Sequence, residues 1–259
     1  MDLFVLGAHQ LESLNTRCTT ILIDGVLALD GSSLSSTLSL ADQANVRYIL
    51  LTHYHYDHIK DIATLGFNTA SQGTTLVVCS PAVQEALLSH ILNGRIWPRL
   101  DTYPSADQPT IRFVTIEPGE WLSLERYRVL SFPVPHAVPT MGFIVVGGDN
   151  CSLFYSSDTG PGWAEAASAW LPQDIGLIIT EVTMPNELVD IALRSGHLTP
   201  ELLRNELRLL GERLGRIPRV LIVHIHPGHE AAIRTQLASV AADLQADIAI
   251  GQEGMRLAI

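Results

Sequence analysis

The stretch Val46-Arg47-Tyr48-Ile49-Leu50-Leu51-Thr52-His53-Tyr54-His55-Tyr56-Asp57-His58 decides how this chain is read. Its first half is an apolar run of strand length. Its second half places three histidines and one aspartate within six positions. His53 and His55 are two residues apart, so in an extended segment their rings point the same way. Asp57 and His58 follow as the chain turns off the strand end. Imidazole and carboxylate are the ligands that hold Zn²⁺, Mn²⁺ or Fe²⁺ in hydrolytic sites. Four such groups can divide between two metal ions about 3.5–4 Å apart, as in two-metal hydrolases. A surface cluster with no ligand role is the bland alternative, and it requires this spacing at a strand end by accident.

A two-metal site needs about seven protein ligands and a bridging water, so further ligands are expected at other strand ends. His136 follows the run Val129–Pro133. Asp158 follows Leu153-Phe154-Tyr155-Ser156-Ser157. His224 ends Val220-Leu221-Ile222-Val223, with His226 and His229 competing for the same role. Singly, each has an ordinary reading: a loop histidine at His136, a turn or cap aspartate within Ser157-Asp158-Thr159-Gly160. Their shared placement just past hydrophobic runs raises them together.

Bulk properties bound the rest. At 259 residues with 47% hydrophobic content, one α/β domain over residues 1–259 is expected, with a well-filled core. No run of about 18 apolar residues suggests a membrane span. The N-terminal residues lack a basic segment and a cleavage site, which makes the cytoplasm the expected compartment. Cys18, Cys79 and Cys151 are too few and scattered for a disulfide framework and read as buried thiols. The formal charge is −11, with one lysine, Lys60, against fifteen arginines. Such a balance suits a small anionic substrate held through metals better than a long nucleic acid. A homodimer is compatible with the apolar composition.

Strands are expected at Leu3–Leu6, Thr19–Ile23, Val26–Leu29, Tyr48–Leu51 and Thr75–Cys79, with helices at Leu38–Asn45, Asp61–Leu65 and Pro81–Leu92. Asn93–Thr110, rich in Pro, Gly and Asp, reads as a long loop or lid. Strands return at Ile111–Ile116, Trp121–Leu124, Tyr127–Pro133, Gly142–Val146, Ser152–Ser156, Ile175–Thr180 and Val220–His224. Helices are expected at Trp163–Trp170, Thr199–Leu214 and His229–Leu244, and Asp247–Ile250 as a closing strand. This order fits a β-sandwich flanked by helices, built as two αβ halves, better than a purely parallel sheet.

The series His53-x-His55-x-Asp57-His58, then His136, Asp158 and His224, resembles the metallo-β-lactamase superfamily of metal-dependent hydrolases over nearly the whole chain. The resemblance implies an αββα four-layer sandwich with the metals at one edge. It also implies two divalent ions, Zn²⁺ first, with Mn²⁺ or Fe²⁺ as alternatives. His53, His55 and His136 would hold one ion, and Asp57, His58 and His224 the other, with Asp158 bridging. The tract Glu181-Val182-Thr183, followed by Gly196-His197-Leu198-Thr199, resembles the branch that holds class II 3′,5′-cyclic-nucleotide phosphodiesterases and ribonuclease Z enzymes. Glu181-Val182-Thr183-Met184-Pro185 and Val223-His224-Ile225-His226-Pro227 are most similar to the cyclic-nucleotide enzymes, which favours His224 over His226.

The chemistry expected from these groups is hydrolysis of a small phosphodiester, a 3′,5′-cyclic nucleotide (cAMP or cGMP), to the 5′-nucleotide. Two metals offset the charge of the diester and lower the pKa of a bridging water. His197, oriented by Glu181, would protonate the leaving alkoxide; a helix-start residue is its plain reading. Asp57 would take a proton from the water while binding metal. A nucleobase can stack on Trp97 and Tyr103, or those two can be ordinary core or lid residues. The competing readings are a ribonuclease Z-like nuclease that trims tRNA, which the acidic balance opposes, and an ester, lactone or thioester hydrolase. The last is a catalytically silent metal-binding protein.

Overall fold

The run Val46–Leu51 builds β4 (Tyr48–Leu50), a strand buried on both faces between two parallel neighbours. The computed structural model describes residues 1–148 and 150–259. The described strands form two seven-stranded sheets. The first runs, in order, β14 (Arg256–Ala258), β1 (Asp2–Gly7), β2 (Thr20–Ile23), β3 (Leu27–Leu29), β4, β5 (Thr75–Cys79) and β6 (Ile111–Thr115). The second runs β13 (Ile248–Ile250), β12 (Arg219–Val223), β11 (Leu177–Glu181), β10 (Ser152–Tyr155), β9 (Thr140–Val146), β8 (Tyr127–Val134) and β7 (Trp121–Leu124). Each sheet has three antiparallel pairings followed by three parallel ones, so the two halves share one plan.

Period-2 alternation sorts side chains into layers. Leu50, Ile21 and Val5 meet Val129, Phe143, Ile179 and Leu221 between the sheets. Their neighbours Ile49, Leu22 and Leu6 face outward onto the apolar residues of the short helices, among them Ile62, Leu65 and Val83. On the far side, Phe154, Ile178 and Ile222 pack on Trp163, Leu203, Leu207 and Ile233. The result is the αββα sandwich that the sequence reading expects. Helix Pro200–Leu214 shows why its residues are helical: Thr199 caps Leu202 N, proline sits in the first turn, and Gly215 ends it in left-handed backbone. Among the described residues, no helix is long and apolar enough to cross a membrane.

Several elements depart from expectation. The chain does not close on Asp247–Ile250: β14 follows and adds antiparallel to β1. Its short Arg-Leu-Ala sequence carries too little apolar alternation to announce an edge strand. The expected helix Leu38–Asn45 is two short segments, Leu34–Thr37 and Leu40–Gln43, because Ser39 caps a new start at Asp42 N. Helix Pro81–Ala86 passes into a π-turn at Leu87–Ile91. The helix from Trp163 ends at Ala167, and an additional helix occupies Val189–Ser195.

Topology fixes where chemistry can happen. β3 and β4 are parallel, as are β10, β11 and β12, so their carboxyl ends gather at one edge of the sandwich. The β8–β9 hairpin reaches the same edge, and Met141 N donates to Thr52 O at 3.1 Å.

Candidate metal centre and its neighbours

His53 and His55 leave β4 in extended backbone, and one helical turn, Tyr56–Ile59, then carries Asp57 and His58 back toward them. The β8–β9 hairpin delivers His136, the end of β10 delivers Asp158, and the end of β12 delivers His224. His53 Nε2 lies 2.9 Å from His55 Nδ1, and His136 Nε2 lies 3.4 Å from that same atom. Asp158 Oδ2 is 3.9 Å from both His53 Nε2 and His136 Nε2. It is also 3.3 Å from His224 Nε2, which in turn stands 3.4 Å from Asp57 Oδ2. His58 Nε2 completes this second group, 3.8 Å from Asp57 Oδ2. The structure thus brings all seven expected ligands together as two groups of donor atoms, each within 4.8 Å, and Asp158 faces both. His226 packs on His229 instead, with ring centroids 4.8 Å apart.

Whether these residues fit divalent cations is answered by two buried atoms. His58 Nε2 and Asp158 Oδ1 have no hydrogen-bond partner, although they lie 3.3 Å apart. A buried polar atom left unpaired costs about 1–3 kcal/mol, and a cation in the cluster satisfies both atoms. The opposite ring nitrogens are already engaged: His53 Nδ1 with Thr52 Oγ1 at 3.0 Å, His58 Nδ1 with Asp30 Oδ2 at 2.8 Å, His136 Nδ1 with Gly196 O at 2.8 Å, and His224 Nδ1 with Thr183 Oγ1 at 2.9 Å. Such outer contacts fix ring orientation and leave the inner nitrogen for a metal.

Electrostatics agree for the group of His53, His55 and His136. Burial, reinforced by neighbouring imidazoles, holds His53 well below the ordinary histidine value and also lowers His55. Burial lowers His136 despite the nearby Asp158. All three are therefore neutral, as ligands must be. Burial opposes ionisation of Asp158, yet His224 and His58 hold it well below the carboxylate range. Asp57 is lowered too, burial being outweighed by its His224 hydrogen bond and His58. His58 goes the other way: burial is overcome by Asp158 and Asp30, which raise it well above the usual value.

Against this cluster stands the pair expected from the downstream motifs. His197 Nδ1 donates to Glu181 Oε1 at 2.6 Å. Burial opposes protonation of His197, but the Glu181 charge and hydrogen bond prevail and push it to about 9. Glu181, wholly buried at the end of β11, also accepts from Thr159 N, Thr183 N, Thr183 Oγ1 and Leu198 N. The His197 ring stacks on His224 with centroids 5.5 Å apart and meets His136 edge-on at 5.1 Å.

Three contributors escaped the sequence reading. Asp30 accepts from Thr52 N, Thr52 Oγ1, His58 Nδ1 and the Tyr155 hydroxyl. Its signal was present: an aspartate directly after the apolar β3, in Asp30-Gly31-Ser32-Ser33, as at Asp158. Tyr155 read only as a strand residue, and Thr183 only as part of the Glu181-Val182-Thr183 tract, with no role of its own. Trp97 and Tyr103 do not take up a stacking position at the cluster. Both pack on Phe67, with ring centroids 5.7 and 6.3 Å away, over the outer face of the first sheet.

Two stacked mixed sheets flanked by helices, with a histidine–aspartate cluster at one edge able to hold metal, define the metallo-β-lactamase fold of hydrolases. The Beta-lactamase superfamily domain matches residues 19–234, and the chain belongs to that family. It is 31% identical over 103 residues to a ribonuclease Z of Methanococcus maripaludis strain C6, covering 38% of this chain and 31% of that protein. It is 24% identical over 201 residues to a 3′,5′-cyclic-nucleotide phosphodiesterase of Schizosaccharomyces pombe, covering 70% of this chain and 56% of that protein. The matched regions therefore span from under a third to just over half of these curated relatives. Among solved structures, unliganded yeast PDE1 matches with a TM-score of 0.84 at 17% identity, over 100% of this chain and 99% of that one. The short form of human tRNase Z, ELAC1, matches with a TM-score of 0.68 at 16% identity, over 100% and 99%. At these identities the structural likenesses show the fold.

Proposed function

We propose that the protein is a dinuclear metal-dependent phosphodiesterase that opens a 3′,5′-cyclic nucleotide to the 5′-nucleotide. The observation that carries this reading is the buried His197–Glu181 pair, 2.6 Å apart and stacked against the ligand cluster. A ribose alkoxide leaving a phosphodiester needs a proton, and this pair holds one beside the cluster.

His53, His55 and His136 would hold one ion, Asp57, His58 and His224 the other, and Asp158 both. Two divalent cations held there would lower the pKa of a bound water and offset charge on the phosphoryl oxygens, with Zn²⁺ the first expectation and Mn²⁺ or Fe²⁺ suited to the same donors. The chain's own residues do the rest. His197, kept protonated by Glu181, delivers the proton on Nδ1's partner nitrogen, Nε2, to the leaving O3′. Asp57, half-buried beside His58 and His224, accepts a proton from the attacking water. Asp30, Thr52 and Thr183 orient the imidazoles through their outer nitrogens.

The uncharged part of the substrate has room beside the centre. A cavity of about 560 Å³ adjoins His136, walled by Ile116, Pro118, Pro133, Val138 and Met141 and lined by no lysine or arginine. Such walls suit a flat, neutral base better than a phosphate. The net charge of −11 likewise favours a small diester over RNA. The reading includes a cytoplasmic enzyme of one domain, compatible with a homodimer and acting on no membrane component.

The local identity to a ribonuclease Z supports one second reading, a tRNA 3′ endonuclease. An activity panel on the metal-loaded protein separates them: cAMP, cGMP, bis-p-nitrophenyl phosphate, a lactone and a tRNA precursor. Turnover of cAMP or cGMP is expected. Cleavage of the tRNA precursor alone supports the second reading, and turnover of the lactone without any phosphodiester defeats both.

A further inference from the structure

Thr183 lies wholly buried between the two halves of the site. Its Oγ1 is 2.6 Å from Glu181 Oε2, 2.9 Å from His224 Nδ1, 3.0 Å from His224 O and 3.4 Å from His197 Nδ1. A hydroxyl has one proton to give. The shortest contact is to a carboxylate oxygen, which only accepts, so that proton goes to Glu181 Oε2. The His197 Nδ1 proton is already on Glu181 Oε1. Thr183 Oγ1 therefore acts as acceptor toward His224, which must carry its proton on Nδ1. That tautomer leaves His224 Nε2 bare, the nitrogen that faces Asp57 and Asp158 at 3.4 and 3.3 Å.

We propose that Thr183 is a positioning residue that ties the metal centre to the acid pair: one hydroxyl fixes the ligand tautomer of His224 and holds Glu181 against His197. His53 and His58 are oriented by side chains that do not bond the acid pair, Thr52 and Asp30, and His136 by the backbone carbonyl of Gly196, which joins His197 through the peptide bond alone. Among the side chains that orient these rings, Thr183 is the one that also bonds the acid pair. Its backbone N–H on Glu181 Oε2 at 3.0 Å persists in any substitution, so removal of the hydroxyl isolates the link. The second half of this inference, the effect on His197, rests on the phosphodiesterase reading; the first half does not.

The test compares Thr183→Val, which keeps the shape and removes the hydroxyl, with Thr183→Ser, which keeps the hydroxyl. Chelator-stripped proteins are titrated with Zn²⁺ by calorimetry, and kcat and KM are then measured on cAMP. The expected result for T183V is a 10–100-fold loss of affinity at one of two Zn²⁺ sites. Its kcat falls by a similar factor with KM nearly constant, and T183S recovers both. A T183V titration equal to wild type overturns the inference. So does a T183S protein as impaired as T183V, which would assign the effect to packing. If T183V does not fold, Thr183→Cys, with its weak S–H donor, takes its place under the same two criteria. Because the titration needs no substrate, it decides the Thr183–His224 link even if wild type proves inactive on every phosphodiester.

Discussion

Asp30 Oδ2 and His58 Nδ1 stand 2.8 Å apart with both side chains wholly buried. The same carboxylate receives Tyr155 from β10 and Thr52 from the end of β4, so it joins the two sheets beneath the ligand cluster. Replacing it by Asn keeps the volume but turns an amide donor toward groups that already donate. Asp30→Asn is expected to lower stability by about 3–5 kcal/mol, the range for breaking a buried charged pair. Urea unfolding at neutral pH reads this, and an unmoved midpoint would contradict the role given to Asp30.

Gly196 precedes His197 and its carbonyl holds His136 Nδ1 at 2.8 Å. Its φ is 72°, and a Cβ there would lie 2.9 Å from Ala137 N and 3.1 Å from His136 Nδ1. Left-handed backbone costs a non-glycine residue roughly 1–2 kcal/mol, and the added carbon pushes on a ligand. Gly196→Ala should therefore lose stability by at least that amount and bind Zn²⁺ on the order of tenfold more weakly. Calorimetric titration showing wild-type affinity would remove Gly196 from the account.

His9 lies at the end of β1, its Nδ1 2.7 Å from Glu253 and its Nε2 3.4 Å from Glu230. Arg234 bonds Glu230, and the backbone N–H of Arg17 bonds Glu253. Burial opposes protonation of His9, but the hydrogen bond and charge of Glu253, then of Glu230, raise it above 6.5. Both glutamates are lowered from 4.5, burial again opposing and hydrogen bonds prevailing. A raised base stabilises below its ordinary pKa and loses that contribution as pH rises through the folded value; lowered acids do the reverse. The stability gap between wild type and His9→Gln should therefore be widest between 4.5 and 6.5 and narrow on both sides. A gap independent of pH would show that the cluster is not ionised as described.

Removing the proposed acid should be felt according to the leaving group. His197→Ala is expected to slow hydrolysis of a diester with an alkoxide leaving group by about 10²–10⁴. A p-nitrophenyl diester, whose leaving group needs no proton, should lose much less. Equal losses on the two substrates would end the general-acid role.

How much of this was legible in the sequence follows from where each residue sits. The ligands stand directly after apolar runs, so spacing and strand ends found them, and Glu181 and His197 lay in local motifs. Asp30 carried the same strand-end signal as Asp158 but no motif of its own. Thr183 and Tyr155 act through contacts 41 and 125 residues away in sequence, to His224 and Asp30, which no local pattern encodes. β14 was invisible for a related reason: an edge strand three residues long is specified by pairing with β1, not by its own sequence. The aromatic loop was open to two readings, base stacking or an ordinary core or lid role, and the packing of Trp97 and Tyr103 on Phe67 fits the second.

The central claim is that this centre breaks a phosphodiester bond in a cyclic nucleotide. Phosphorus-31 NMR of cAMP and cGMP incubated with the Zn²⁺-loaded or Mn²⁺-loaded protein tests it most directly. The account predicts loss of the cyclic-diester resonance and growth of a single phosphomonoester resonance, that of the 5′-nucleotide. Growth of the 3′-nucleotide would contradict the role of His197 at O3′, and both spectra unchanged with either metal would contradict the claim itself.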